Sequence, residues 1–427
     1  MAQARECRGQ DAPDRAVPRR RRPVPASPEP RPAGAAVRLA LVLGAWRFRK
    51  PGGSARIAGQ PGPRSRICPP HDPTSARADR PVTDSPISYR DAGVHIDAQD
   101  EALERSKASI RRSFTPGVLA DVGLFGGLFD LDRVDAGGEI LVSSADGVGT
   151  KLDVAKRAGI FNTVGRDLVQ HCINDVLCQG ARPLFFLDYV GVGKLDPATV
   201  AGLIEGCADA CTDHGLALLG GETAEMPGLY AAGDFDLVGF LVGSVKREHL
   251  LDGSRVRPNQ TLIGLASDGL HTNGYSLARR LLFDEQGHAL DSKPKLLEGR
   301  TVAQALLEPH RCYLKALRPL IEAGDLAAFA HITGGGLAGN VVRVLKDVDA
   351  LIDRTSWELP GLFRLLTEDG RVERDEAFRA FNMGVGGVLF VDRDREQDVM
   401  AHLKASGEQA FVLGETAAGT GEVRFTA

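Results

Sequence analysis

Four carboxylates stand where strands and helices come to their ends: Asp146 in "SSADGVGTKL", Asp175 in "INDVLCQG", and Glu222 and Glu225 in "GGETAEMPG". Such ends often form the rim of a cleft. Two or three carboxylates on a rim suit Mg²⁺, a hard ion that takes oxygen ligands and is usually completed by nucleotide phosphates. Taken singly, each acid reads more readily as a helix cap or a solvated side chain, and only the clusters together favour the metal reading. The stretch after Asp146 offers an anion site of its own kind. A P-loop is excluded, because Gly147 and Gly149 are too close together for G-x-x-x-x-G-K-S/T, and the dinucleotide fingerprint fails because its third glycine would fall on Leu152. What survives is an acid that faces a metal and a turn whose N–H groups at Gly147, Gly149 and Thr150, with the Lys151 ammonium, face an anion. An ordinary turn capped by Asp is the alternative.

Other clusters carry the same chemistry. "TPGVLADVGLFGGLFDL" (115–131) includes Gly126 and Gly127, which can bring N–H groups to phosphate oxygens or simply pack tightly. In "HITGGGLAGN", Gly334 and Gly335 directly precede an amphipathic helix, whose N-terminus favours an anion. His271 in "SDGLHTNGYSL", with Asn273 beside it, and His331 in "HITGGG" sit in polar, glycine-flanked turns. There an imidazole reaches solvent and works as acid or base near neutral pH. His171 reads instead as a structural imidazole on a buried helix face. No Ser-His-Asp order and no His-Glu-x-x-His helix occurs, which leaves nucleophilic hydrolysis and zinc proteolysis without support.

The elements that must hold these residues read as α/β. "EILVSSAD" (139–146), "RPLFFLDYVGV" (182–192), "LALLGGE" (216–222) and "FDLVGFLVGSV" (235–245) are strand-like runs of Leu, Val and Phe. Between them lie a helix over 163–180, with Asp167, His171 and Asp175 on one stripe, and a helix over 196–214 opened by "DPAT", an Asp cap with Pro at the first helical position. The breaker-rich "REHLLDGSRVRPNQ" places a domain boundary near residue 252, giving domains over 84–252 and 253–427. The 427 residues, 43% apolar and 25% charged, are ordinary globular usage. Charge is uneven: residues 1–83 hold seventeen Lys and Arg against six Asp and Glu, with fourteen of the twenty-four prolines, so a head of net +11 precedes a body of net −15. That head cannot bury enough apolar surface to offset ordering and reads as a disordered extension, whether a tail, an upstream start or an Arg-rich targeting segment. Seven cysteines form no C-x-x-C pair, and Cys172, Cys207 and Cys211 sit at helical spacing among apolar residues, as buried thiols of a reducing cytoplasm do.

"SYRDAGVHIDA", "SSADGVGTKL", "NDVLCQGARPLFFLDY", "GGETAEMPGLY", "SDGLHTNGYSL", "HITGGG" and "FNMGVG", in this order, closely resemble the aminoimidazole ribonucleotide synthetase family, also called phosphoribosylformylglycinamidine cyclo-ligase. The likeness runs from about Ser88 to Ala427, while residues 1–83 have no counterpart. It implies a two-domain ATP-dependent synthetase fold: an N-terminal α/β domain whose four-stranded sheet pairs with that of a second subunit, and a C-terminal α/β domain closing a cleft. It implies a cytoplasmic homodimer, acting on a small molecule rather than on nucleic acid or a membrane, that uses ATP and Mg²⁺ to close the imidazole ring of a purine precursor. Under that resemblance Asp146 and Asp175 hold Mg²⁺, Lys107 lies near the nucleotide, Lys151 meets phosphate, Glu222 joins the nucleotide site, and His271 transfers a proton. Formylglycinamidine ribonucleotide synthetase, thiamine-monophosphate kinase and selenophosphate synthetase are the rivals within the superfamily, and a non-catalytic nucleotide-binding regulator is the rival of another class.

Overall fold

The computed structural model describes residues 87–92, 111–112, 114–121, 124–125, 127–134, 136–369 and 371–426. The expected extension over 1–83 lies outside them, as do Lys107 and Gly126. Five strands make the first sheet: β1 (Gly127–Asp130), β2 (Ile140–Gly147), β3 (Arg182–Val192), β4 (Ala217–Glu225) and β5 (Phe235–Val245), in the order β1-β2-β5-β3-β4. Only β3 and β4 run parallel. The resemblance implied four strands; the fifth, β1, comes from the glycine-rich 115–131 segment. There Gly117 lies flat against the Phe129 ring, where an added Cβ would come within 2.5 Å, so this glycine serves packing.

Side-chain alternation divides the sheet into two unlike faces. Val142, Ser144, Asp146, Phe186, Val190, Leu237 and Leu241 point to one of them, which α2 (Asn162–Leu177) and α3 (Pro197–His214) cover; α1 (Lys151–Ala158) precedes both. The cap read from "DPAT" is formed, Asp196 Oδ2 accepting the Thr199 N–H at 3.0 Å. Two glycines let α2 and α3 meet backbone to backbone: a Cβ on Gly165 would lie 2.3 Å from the Leu203 carbonyl oxygen, and one on Gly206 2.0 Å from that of Asn162. Cys172, Cys207 and Cys211 are buried free thiols in these helices. The opposite face carries Phe185, Leu187, Tyr189, Val238, Phe240 and Val242, of which Phe240 is 41% exposed.

The second sheet has six strands, β6 (Gln260–Ala266), β7 (Leu326–His331), β8 (Val348–Ile352), β9 (Val385–Asp392), β10 (Ala410–Ala418) and β11 (Val423–Phe425), ordered β11-β8-β10-β6-β9-β7. Its core strands are deeply buried: every residue of β7 is buried, and so are the first seven of β9. Around it lie α4 (Tyr275–Arg279), α5 (Val302–Leu306), α6 (Leu314–Ala323) and α7 (Gly336–Val341). The helix expected after the triple glycine is only six residues long, ending in a 3₁₀ turn over Val342–Val344. Among the described residues no helix is long and apolar enough to cross a membrane.

Candidate active site

Residues 167, 171 and 175 recur every four positions, so α2 presents Asp167, His171 and Asp175 along one stripe, and each meets a group from outside the helix. His171 Nε2 lies 2.6 Å from Asp146 Oδ2 and 3.7 Å from Asp175 Oδ2, while its Nδ1 lies 2.5 Å from Thr272 Oγ1. Asp175 is fully engaged: Oδ1 accepts from His331 Nδ1 at 2.8 Å and Oδ2 from the Ser144 hydroxyl at 3.1 Å. Beyond His331 the chain of imidazoles continues, with His310 Nε2 at 2.9 Å from His331 Nε2 and the His310 ring stacked on that of His271 at 3.9 Å. A side of the first sheet is thereby joined to three places in the second half: the turn before α4, the segment between α5 and α6, and the end of β7.

Electrostatics sort these imidazoles into two kinds. Burial disfavours a charge on His171, but the Asp146 and Asp175 carboxylates outweigh it and raise its pKa to about 9. Burial works likewise against Asp146, yet the His171 charge and hydrogen bond hold its carboxyl below the usual range. This pair is ionic at neutral pH. Burial and the neighbouring cationic groups push His271 and His310 well below the ordinary histidine value. His331 is lowered too, burial prevailing over Asp175.

Two expectations about setting are corrected here. His271 and His331 do not reach solvent: they are 1% and 0% exposed. The His271 backbone takes a positive φ of 61°, and its ring turns inward over Gly386, where a Cβ would come within 2.6 Å of His271 Cε1. Lys151, expected to meet phosphate, is likewise enclosed in this structure. Its ammonium is fully buried and its three donors are taken by Asp167 Oδ2 at 2.7 Å and the carbonyl oxygens of Glu308 and His271 at 2.8 and 3.3 Å. Burial presses both members of this pair toward neutrality, lowering Lys151 and raising Asp167.

Glu222 is separated from the acids. It pairs with Tyr189 across β3 and β4, and Tyr189 pairs with Val238, which puts Glu222 on the sheet face opposite Asp146. Three strand spacings, roughly 14 Å, also intervene. The other turns do converge. Asp146, 35% exposed, is followed by exposed Gly149 and Thr150; Thr150 Oγ1 lies 2.9 Å from Ser276 Oγ, and Gly334 lies against Asn273, whose Oδ1 would be 3.3 Å from an added Cβ. Gly147 ends β2, Gly335 opens α7 with φ 92°, and Gly127 pairs with Ser143 on the neighbouring strand. His310 was not singled out by sequence, since a lone histidine in "LLEPHRCYL" matches no spacing rule. Magnesium can be tested against these side chains. Asp146 Oδ2 and Asp175 Oδ2 lie 2.6 and 3.7 Å from the same His171 nitrogen, so two carboxylate oxygens of the kind a hard dication takes stand close together.

The AIR synthase related protein N-terminal domain matches residues 126–245 and the corresponding C-terminal domain residues 257–426. Phosphoribosylformylglycinamidine cyclo-ligase of Citrifermentans bemidjiense is 46% identical over 337 residues, covering 79% of this chain and 97% of that protein. The enzyme of the same name from an Anaeromyxobacter species is 49% identical over the same shares. The chain belongs to the phosphoribosylformylglycinamidine cyclo-ligase family. Among solved structures, thiamine-monophosphate kinase from Stenotrophomonas maltophilia matches with a TM-score of 0.54 at 19% identity, over 76% of this chain and 96% of that one. Thiamine monophosphate kinase from Aquifex aeolicus matches at 0.53 and 15%, over 78% and 98%. Those likenesses show a shared fold. The cyclo-ligase family assignment rests on sequence, and the kinase reading of the chain falls away beside it.

Proposed function

We propose that the chain is an ATP-dependent cyclo-ligase of purine synthesis, converting formylglycinamidine ribonucleotide to aminoimidazole ribonucleotide with release of ADP and phosphate. The observation that carries this reading is that the 146–150 turn, the 271–276 turn and the triple glycine, far apart in sequence, are linked: Asp146 through His171 to Thr272, Thr150 to Ser276, and Gly334 against Asn273. A formamide carbon is a poor electrophile and its oxygen a poor leaving group. Transfer of the γ-phosphoryl group to that oxygen corrects both. The amidine nitrogen of the same molecule, at high effective molarity, then bonds to the carbon and gives up a proton to the departing phosphate, which leaves with the C–O electron pair. Asp146 and Asp175 are the residues that would hold Mg²⁺, which when bound neutralises phosphoryl charge. The Gly147 N–H is taken by Asp146 Oδ1 at 2.7 Å, which leaves the N–H groups around Gly149 and Gly335 to face the phosphates, and Asn273 orients the substrate. His271 supports its turn from behind and is not assigned direct contact with the reacting atoms. The apolar face around Phe240 supports a homodimer in which two first sheets pack together, and a cytoplasmic setting suits the buried free thiols. Substrate carrying ¹⁸O in its formamide group tests the chemistry: the label should appear in inorganic phosphate, and its appearance in water instead would rule out phosphorylation of that oxygen.

A further inference from the structure

Residues 87–92 precede the first sheet in sequence yet lie against the second half, and they lead into the SYRDAGVHIDA motif. The Ile87 N–H donates to the Arg371 carbonyl oxygen at 2.7 Å, and the Tyr89 N–H to Glu376 Oε1 at 2.7 Å. Asp91 Oδ2 accepts the N–H and the hydroxyl of Ser88 at 2.9 and 2.8 Å, which closes the short turn between them. Seated in this way, the segment holds both ends of α4. At its start, the Tyr89 phenol oxygen accepts the Gly274 N–H at 3.2 Å. At its far end, the Asp91 carbonyl oxygen accepts from Arg280 Nη1 at 2.6 Å, on the π-helical turn Arg280–Glu285 that continues the helix. Such turns occur often at functional sites.

Gly274 depends on such a hold. It is buried, its φ is 80°, and it has no side chain of its own to fix that left-handed conformation. An added Cβ would come within 2.5 Å of Phe381 Cδ1 and 2.9 Å of the Ala380 carbonyl oxygen, so the end of the helix over Arg374–Ala380 backs the turn. That helix supplies Glu376 to Tyr89, and its Phe378 carbonyl oxygen would lie 1.8 Å from a Cβ on Gly336. Tyr89, the Asn273–Gly274 turn and the triple glycine thus share one support. The first N–H groups of a helix have no partner within it, and among the described residues Tyr89 Oη is the acceptor for that of Gly274. We propose that Tyr89 is a positioning residue: by holding the Gly274 N–H it sets the angle at which the neighbouring Asn273 amide meets formylglycinamidine ribonucleotide, a role that rests on the reading of Asn273 as substrate-orienting.

Tyr89→Phe keeps the ring and removes only the oxygen. With no ligand added, hydrogen exchange at Gly274, read by mass spectrometry, should quicken by about 10-fold, the worth of one ordinary hydrogen bond. In steady-state assays KM for formylglycinamidine ribonucleotide should rise by roughly 10-fold while KM for ATP holds, since one orienting contact to one substrate is weakened. A role in stability alone would move both KM values together or neither. Folded Tyr89→Phe with Gly274 exchange at the wild-type rate, or with the two KM values unchanged or equally raised, overturns the proposal. Wild-type protein inert toward that substrate overturns the cyclo-ligase reading and the substrate role with it, and the exchange rate still reports the Tyr89–Gly274 bond by itself. If Tyr89→Phe does not fold, Glu376→Ala decides, because it removes the acceptor of the Tyr89 N–H. The same one-sided rise in KM is expected there, and KM values equal to the wild type's count against Tyr89.

Discussion

At the scale of single residues, the sequence motif and the packed structure disagree most about Lys151. A lysine closing "DGVGTK" looks like a phosphate ligand, yet its ammonium is completely enclosed with Asp167 and two carbonyl oxygens. Nothing local in the sequence could reveal this, because Asp167, His271 and Glu308 are brought to Lys151 only by tertiary packing. The two roles have different signatures. A phosphate ligand, when removed, weakens ATP use and leaves stability alone, whereas breaking one side of a buried ion pair strands the other charge at a cost of about 3–5 kcal/mol. Lys151→Met should therefore lower the unfolding free energy in urea by about that amount. The double variant Lys151→Met, Asp167→Leu should recover most of the loss. A stable Lys151→Met protein with a greatly raised KM for ATP would restore the phosphate role. His171 shows the reverse case: read as a structural histidine from its apolar helix neighbours, it is the point on which both rim acids converge.

At the scale of elements, legibility followed burial pattern. "RPLFFLDYVGV" and "FDLVGFLVGSV" became β3 and β5 over the same residues as read, because long Val-, Leu- and Phe-rich runs bounded by breakers have few other solutions. The face on which Glu222 lies was not legible, since it depends on the pairing register beyond the irregularity at Phe186 and Leu187. The six-residue α7 and the inward turn of His271 were equally hidden, being set by neighbours such as Gly386. The α2–α3 contact shows how much the site depends on element packing, since α2 carries Asp167, His171 and Asp175 together. Ala at Gly206 would gain about 1 kcal/mol of helix propensity. It would also thrust a methyl to 2.0 Å from the Asn162 carbonyl, which is backbone and cannot rotate away. Overpacking of that kind costs about 1–3 kcal/mol. Gly206→Ala should thus lower the melting temperature and shift α2, reducing turnover more than a surface Ala substitution on α3 does; an unchanged melt would show that the helices are free to part.

At the scale of the whole molecule, the first sheet buries one face under α2 and α3 and leaves Phe240, Leu187, Tyr189 and Val238 on the other. Apolar faces of that composition mark association surfaces. Phe240→Asp should convert a dimer to a monomer in sedimentation equilibrium without unfolding it, and a wild-type chain that sediments as a monomer would leave that face without the proposed role. The two halves meet along Thr150–Ser276, Asp153–Arg279, His171–Thr272 and Asn174–Arg311, which encloses the acids of one half with the turns of the other. The most direct measurement on the function supplies purified protein with Mg²⁺, ATP and formylglycinamidine ribonucleotide and follows the aromatic amine and ADP together, with thiamine monophosphate as a second substrate arm. Equimolar amine and ADP from the first substrate, and no ATP-dependent product from the second, are expected; ADP released without amine, or phosphorylation of thiamine monophosphate instead, would contradict the cyclo-ligase assignment.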